Sequence, residues 1–362
     1  MSKLLPSLTI GDLEIGLPLV QGGMGVRVST ASLAAAVAGC GAAGTIAGVG
    51  LGYGSARNER DYYEASQASL TEEIRKARLA TKGVIGVNAM VALANYEDLA
   101  RTAGAENADF IASGAGLPLL LPGFVDNKRT KLLPIISSAR AGSIIIKAWQ
   151  KRFNRLPDGL IVEGPMAGGH LGFKVEELTP VPAPGTLEGI VVEVIKLAKE
   201  YRKPGLPMPV IAAGGIYDGR DMARFLRLGC GGVQMGTRFV ATNECSVADA
   251  FKQLYIGARK EDIMIIKSPV GMPGRAIRTP FVERLARGER VPFECNYQCL
   301  RSCDPRTAPY CIARAMFNAA AGKTDEAVIF CGSNVWRVDR IVPVRELIDT
   351  IVAEAEAELA KD

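Results

Sequence analysis

One histidine occurs in the 362 residues of this chain. It sits in Glu163-Gly-Pro-Met-Ala-Gly-Gly-His170-Leu-Gly, just after an apolar run. An imidazole titrates near neutral pH, so it is the simplest general acid or base a protein can carry. Glycines after a strand end let the backbone come close to a ligand. The competing reading is a polar loop residue with no chemistry. A second group of reactive side chains is Cys295, Cys299 and Cys303, four residues apart, followed by Cys311. If that segment is helical, the first three share a face. Four thiolates could hold zinc or an iron–sulfur cluster. The spacing matches neither the Cys-x2-Cys pairs of zinc sites nor a ferredoxin run, so metal ligation and buried free thiols both stay open.

These residues must be positioned by the elements around them. Short runs, apolar on both faces and rich in Val and Ile, predict buried parallel strands at Leu17–Gln21, Gly44–Ala47, Val84–Asn88, Phe110–Ser113, Leu132–Ser137, Gly159–Glu163, Val210–Ala213 and Gly232–Met235. Helical segments are expected at Ser29–Val37, Glu72–Ala80, Asn95–Ala103, Ala139–Phe153, Leu187–Tyr201 and Asp218–Leu228. Eight strands and their crossovers in roughly 240 residues predict an α/β fold, a (β/α)8 TIM barrel. A doubly wound open sheet is the runner-up. Residues 1–242 are read as the barrel. Residues 243–324 are read as an inserted, mainly helical cap with the cysteines. Residues 325–362 end in an amphipathic helix, Pro343–Leu359, expected to pack back on the barrel.

In a barrel the strand C-termini share one face, where active sites form. Five motifs fall there: Gln21-Gly22-Gly23-Met24, Asn88-Ala-Met, the His170 turn, Ala213-Gly214-Gly215-Ile216 and Gln234-Met235-Gly236-Thr237-Arg238. The last two follow strands 7 and 8, where barrels bind phosphate with backbone N–H groups and a helix N-terminus. The helix from Asp218 is expected to serve there, and Thr237 to add a hydroxyl. No Gly-x-x-x-x-Gly-Lys-Ser/Thr loop is present, which excludes the common nucleoside triphosphatase signature.

Bulk properties agree with a globular enzyme. A net charge of +5 and 6% aromatic residues give no basis for nucleic-acid or anionic-membrane binding. Arg27 to Arg57 is free of charge between its ends, but its Ala, Gly and Ser content reads as a buried helix and strand. No signal peptide is apparent, so a cytoplasmic location is expected. Lys131 and Lys147 read as solvated, and Trp149 and Trp336 as packed in helices.

Taken together, the Gln-Gly-Gly-Met, Gly-Val-Asn, Ala-Gly-Gly-His, Ala-Ala-Gly-Gly-Ile and Gln-Met-Gly-Thr-Arg-Phe motifs resemble the nitronate monooxygenase family, formerly the 2-nitropropane dioxygenases. That family is related to the flavin-dependent enoyl-acyl-carrier-protein reductases and NAD(P)H:quinone reductases. The likeness runs from Pro18 to about Thr242, and more weakly over Gly271–Arg278 and the tail. It implies FMN on a barrel. Gly22, Gly23 and Met24 would lie along the isoalloxazine, and Asn88 and Glu163 would hydrogen-bond it. Gly168 would let the His170 loop approach it. Gly214, Gly215, Gln234, Met235, Gly236 and Thr237 would cradle the phosphate, and His170 would be the catalytic residue. Glu163 departs from the Gln of many nitronate oxidisers.

Three functions follow from the resemblance. The first is oxidation of alkyl nitronates with O2. In it, His170 acts as a base or, as imidazolium, holds the nitronate. The second is reduction of enoyl thioesters or quinones driven by NAD(P)H. The third is flavin binding without turnover. The expected partner is a small-molecule substrate, with a homodimer left open.

Overall fold

The computed structural model describes residues 5–178, 186–202 and 207–361. Eight parallel strands form one sheet: β1 (Leu19–Gln21), β2 (Gly44–Ala47), β3 (Ile85–Met90), β4 (Phe110–Gly114), β5 (Lys131–Ile136), β6 (Leu160–Glu163), β7 (Val210–Ala213) and β8 (Gly232–Met235). Each strand pairs with its sequence neighbour, and β8 pairs with β1. The ring closes between β1 and the residue before β2. Gln21 N–H donates to Ala43 O at 2.8 Å, and Ala43 N–H to Leu19 O at 2.9 Å. The expected barrel is therefore present, with strand limits moved by one or two residues.

Side chains fill the barrel interior, as they do in this fold. Val20, Phe110, Leu133, Ile161 and Ile211 form an inner cluster with Leu8, Ile10 and Ile15. The last three come from a hairpin of Leu8–Ile10 and Leu13–Ile15 that precedes the barrel. Leu8 packs by Gly231 and Gly232 where β8 begins, so the hairpin plugs the end opposite the strand C-termini. Three-residue strands carry too little periodicity for the sequence to announce them. The same plug explains Lys131. Its side chain is buried and ion-paired with Asp12 at the hairpin turn, against the solvated reading.

The outer helices start where polar caps stand. Asn58 accepts the Asp61 N–H at 3.0 Å and opens the helix Glu59–Ala80, well ahead of the expected Glu72. Ser138 accepts the Ala141 N–H at 3.2 Å and opens Ala139–Phe153. That helix buries Ile145, Ile146 and Trp149, each burial being worth about 1.5–3 kcal/mol. Trp336 differs from expectation: it lies on the short turn Val335–Arg337 and is 44% exposed. The charge-free stretch resolves into the helix Ala31–Gly39 and β2, as read. No helix is long and apolar enough to cross a membrane among the described residues. The terminal helix Val344–Leu359 buries Val344, Leu347, Ile348, Ile351 and Ala355. It packs so closely on the helix Gly219–Arg227 that a Cβ at Gly219 would lie 2.1 Å from Ile351 O.

The region after β8 adds two strands to the expected helices. It contains the helices Asp249–Gly257, Pro280–Ala286 and Ile312–Ala320, but also two antiparallel strands, Ile263–Lys267 and Pro273–Ile277. The second of these pairs with Gly169–His170, which makes the histidine turn the third strand of a cap sheet. The cysteine segment is not helical. From 287 to 311 there is no helix, and Pro292, Pro305 and Pro309 interrupt it.

Candidate active site

All thirteen residues singled out from the sequence line one cavity at the C-terminal end of the barrel. The floor begins at the turn after β1. Ser29 holds that turn in both directions: its Oγ accepts the Met24 N–H at 2.9 Å, and its N–H donates to Met24 O at 2.9 Å. Gly23 has to be glycine, because a Cβ there would sit 2.2 Å from the Cβ of Asn88 on β3. Glu163 ends β6, next to Ala213 of β7.

The phosphate end is built from backbone. Gly214 and Gly215 have φ of +94° and +84°, the left-handed region where glycine is the natural residue. Among the described residues, the N–H groups of Gly214, Gly215, Gly236 and Thr237 donate to no protein acceptor. Four such donors on one cavity wall suit an anionic oxygen-rich group, since an unpaired buried N–H is costly. The residues present therefore fit the phosphate of a flavin nucleotide. The helix beginning at Gly219 does not contribute as expected. Its N-terminus is occupied by the protein's own carboxylates: Asp218 accepts the Asp221 N–H at 3.0 Å and Glu354 accepts the Gly219 N–H at 2.9 Å. The Thr237 hydroxyl is also engaged, accepting the Gly332 N–H at 2.9 Å, which leaves only its proton to donate.

The His170 turn is held from above. A Cβ at Gly168 would lie 2.6 Å from the carbonyl carbon of Cys331. The close approach that requires this glycine is thus to the Cys331–Gly332 backbone. Leu171 N–H donates to Pro273 O at 2.8 Å, and the buried Arg275 guanidinium donates to Ala167 O. His170 Nε2 lies 2.8 Å from the Oγ of Ser268, a buried cap residue. The Phe330 ring meets the imidazole edge-on, with centroids 4.9 Å apart. Ser268 fixes the ring through Nε2, and Nδ1 has no protein hydrogen-bond partner among the described residues.

The imidazole and the carboxyl that line the cavity both resist charge. Burial pushes the His170 pKa down to about 4 and the Glu163 carboxyl up to about 7. The Glu163 carboxyl has no hydrogen-bond or ion-pair partner among the described residues. At neutral pH burial favours the neutral imidazole.

Sequence reasoning missed the roof. Val270, Leu300, Met316, Phe330 and Cys331 line the cavity from the cap and tail, and Ser268 holds the histidine. The only signal was the faint family likeness of Gly271–Arg278. Ser268→Ala removes a positioning contact while leaving the imidazole in place. We expect kcat/KM to fall by about tenfold, with flavin content unchanged, consistent with loss of one hydrogen bond of about 1–1.5 kcal/mol. Steady-state kinetics with cofactor quantification check this.

A family model described as nitronate monooxygenase matches residues 7–118 and 124–354. The chain belongs to the nitronate monooxygenase family. As a member it is an enzyme, a flavin-dependent oxidoreductase. Over 274 residues it is 30% identical to the (3aS,4S,5R,7aS)-5-hydroxy-7a-methyl-1-oxo-octahydro-1H-indene-4-carboxyl-CoA dehydrogenase of Mycobacterium tuberculosis, covering 76% of this chain and 66% of the relative. Over 134 residues it is 31% identical to a probable nitronate monooxygenase of Staphylococcus aureus, covering 36% of this chain and 35% of the relative. The chain thus spans just under two thirds of the first relative's length and about a third of the second's. The solved structure of FabK from Thermotoga maritima superposes with a TM-score of 0.74 at 28% identity, covering 96% of this chain and 95% of that chain.

Proposed function

We propose that this nitronate monooxygenase family member binds FMN and oxidises alkyl nitronates with O2. The observation that carries the reading is the meeting of a neutral imidazole and four unpaired backbone donors on one cavity. Gly22, Gly23 and Met24 would lie along the ring system, and Asn88 and Glu163 would hydrogen-bond its edge. Gly168 leaves room for the His170 turn. Gly214, Gly215, Gly236 and Thr237 would hold the phosphate, with Gln234 and Met235 behind them. FMN, when bound, supplies the electron acceptor that the protein's own side chains lack.

His170 does the proton chemistry. Acting as a base, the neutral imidazole would take the proton from the carbon beside the nitro group of a neutral nitroalkane and so form the nitronate that is oxidised, while Ser268 fixes the ring through Nε2. The apolar wall of Val270, Leu300 and Met316 keeps water from competing for that proton. Glu163 is protonated below pH about 7 and then donates a hydrogen bond; above it, the bare carboxylate faces the site. Activity should therefore fall as pH rises through about 7. Glu163→Gln keeps a donor and removes the titration, so that descending limb should vanish from the kcat/KM profile. A limb unchanged in the variant would assign the titration elsewhere.

A second reading, reduction of an enoyl thioester by NADH or NADPH, is favoured by the acyl-CoA relative and by the apolar Ile312 and Met316 of the cavity wall. Side-by-side assays separate the two. O2 uptake on an alkyl nitronate supports the first, and NAD(P)H consumption dependent on a 2-enoyl thioester supports the second.

A further inference from the structure

Arg275 stands in the middle strand of the cap sheet, Pro273–Ile277, opposite Gly169 of the histidine turn. It is only 3% exposed. Its guanidinium donates to Ala167 O, and its own carbonyl accepts the Cys331 N–H at 3.1 Å. Among the described residues, no carboxylate forms an ion pair with it. The neighbouring Cys331 thiol does not neutralise it, because burial pushes that thiol up to about 12 and keeps it uncharged. Burial lowers the pKa of Arg275 as well, but from so high a value that the guanidinium keeps its proton. A buried positive charge without a counter-ion therefore lies directly behind the loop that leads to His170.

Holding the turn in place does not account for that charge. A buried ion is strongly disfavoured unless it is paired, and a neutral donor would bind Ala167 O with far less loss of hydration. The turn also has neutral ties already. Ala167 N–H donates to Gly164 O at 3.1 Å and Leu171 N–H to Pro273 O at 2.8 Å. The N–H and the hydroxyl of Ser333 both donate to Met166 O at 3.1 Å. What arginine adds to these is charge, and one peptide unit carries it to the cavity. Ala167 and Gly168 line the cavity, whereas Arg275 does not. In a trans peptide the C=O and the N–H point in opposite directions, so the Gly168 N–H points away from the guanidinium that binds Ala167 O. That N–H donates to no protein acceptor among the described residues. A hydrogen bond at one end of a peptide strengthens the other end, and a charged donor does so most.

We propose that Arg275 is a positioning residue for negative charge: acting through the Ala167–Gly168 peptide, it makes the Gly168 N–H a strong donor to the flavin and favours the reduced form of the cofactor. The inference rests on the flavin reading given above and holds whichever substrate is oxidised. Reduction adds electron density to the ring system, so a fixed positive charge one peptide away stabilises the reduced form more than the oxidised one. Burial shields that charge from screening by solvent.

The test uses the full FMN-loaded chain at about pH 6, where Glu163 is protonated and adds no charge of its own. The midpoint potential of the bound flavin is measured anaerobically against reference dyes. Arg275→Gln carries a neutral donor and loses the charge, whereas Arg275→Lys keeps the charge. Arg275→Gln should weaken the preference for reduced over oxidised flavin by about tenfold, a fall of about 30 mV for a two-electron couple, and Arg275→Lys should recover most of it. A purely structural tie would lower the potential in both variants alike or in neither, and either result overturns the proposal. If Arg275→Gln does not fold, the unaltered chain decides: its bound flavin should have a higher potential than free FMN, and one at or below it overturns the proposal. An unaltered chain that binds no flavin would instead refute the reading on which the inference rests.

Discussion

His170→Ala should lower kcat/KM for a neutral nitroalkane, which must lose a proton to become the nitronate, by about 10²- to 10⁴-fold, the usual worth of a positioned general base. Bound flavin should stay at the wild-type level. The reason is positional. His170 is in the cap-sheet strand, held by Ser268 and by backbone pairing to Gly274, and its ring carries no structural load beyond the Ser268 and Phe330 contacts. Its pKa of about 4 keeps it in the base form across the neutral range. The rate should therefore show no ascending limb near pH 6.5, where an unperturbed histidine would titrate. Single-turnover kinetics of the variant, with flavin quantified on the same sample, measure both. Wild-type rates in the variant would remove His170 from the reaction.

Gly214→Val should act oppositely, abolishing cofactor retention. At φ +94° a branched side chain is strained by about 1–3 kcal/mol. Its Cβ would lie 2.9 Å from Gly164 O and 3.0 Å from the Ala167 Cβ, on the loop that leads to His170. Relief of that contact moves the Gly214 and Gly215 N–H groups away from the phosphate. The purified variant should be colourless and melt below the wild type. A yellow variant with full flavin occupancy would mean that the phosphate is held elsewhere. Gly169→Ala is a useful contrast, because a Cβ there meets nothing within 4 Å and only its φ of +73° resists the change.

The barrel was legible because each strand is a short, doubly buried apolar run, and because glycine motifs mark the strand ends. That pattern alone puts Gly22, Asn88, Glu163, His170 and Gly214 on one face. What the pattern could not show depended on contacts between distant segments. Ser268 reaches His170 across 98 positions of sequence, and nothing local distinguishes it from other serines. The tight neighbour of Gly168 was hidden for the same reason: it is the Cys331–Gly332 chain, far along the sequence. The Asp218 helix looked like a phosphate site because its start follows Gly215, but the capping carboxylate that starts the helix also occupies its donors. The four-residue cysteine spacing suggested a helical face, yet three prolines and the pairing to Ala92 and Ala94 hold the segment irregular.

The most direct test is anaerobic rapid mixing of the flavin-loaded chain with an alkyl nitronate, and separately with NADH. Bleaching of the flavin band by the nitronate, with NADH alone leaving it intact, is the expected result. Rapid bleaching by NADH and none by the nitronate would contradict nitronate oxidation at this site.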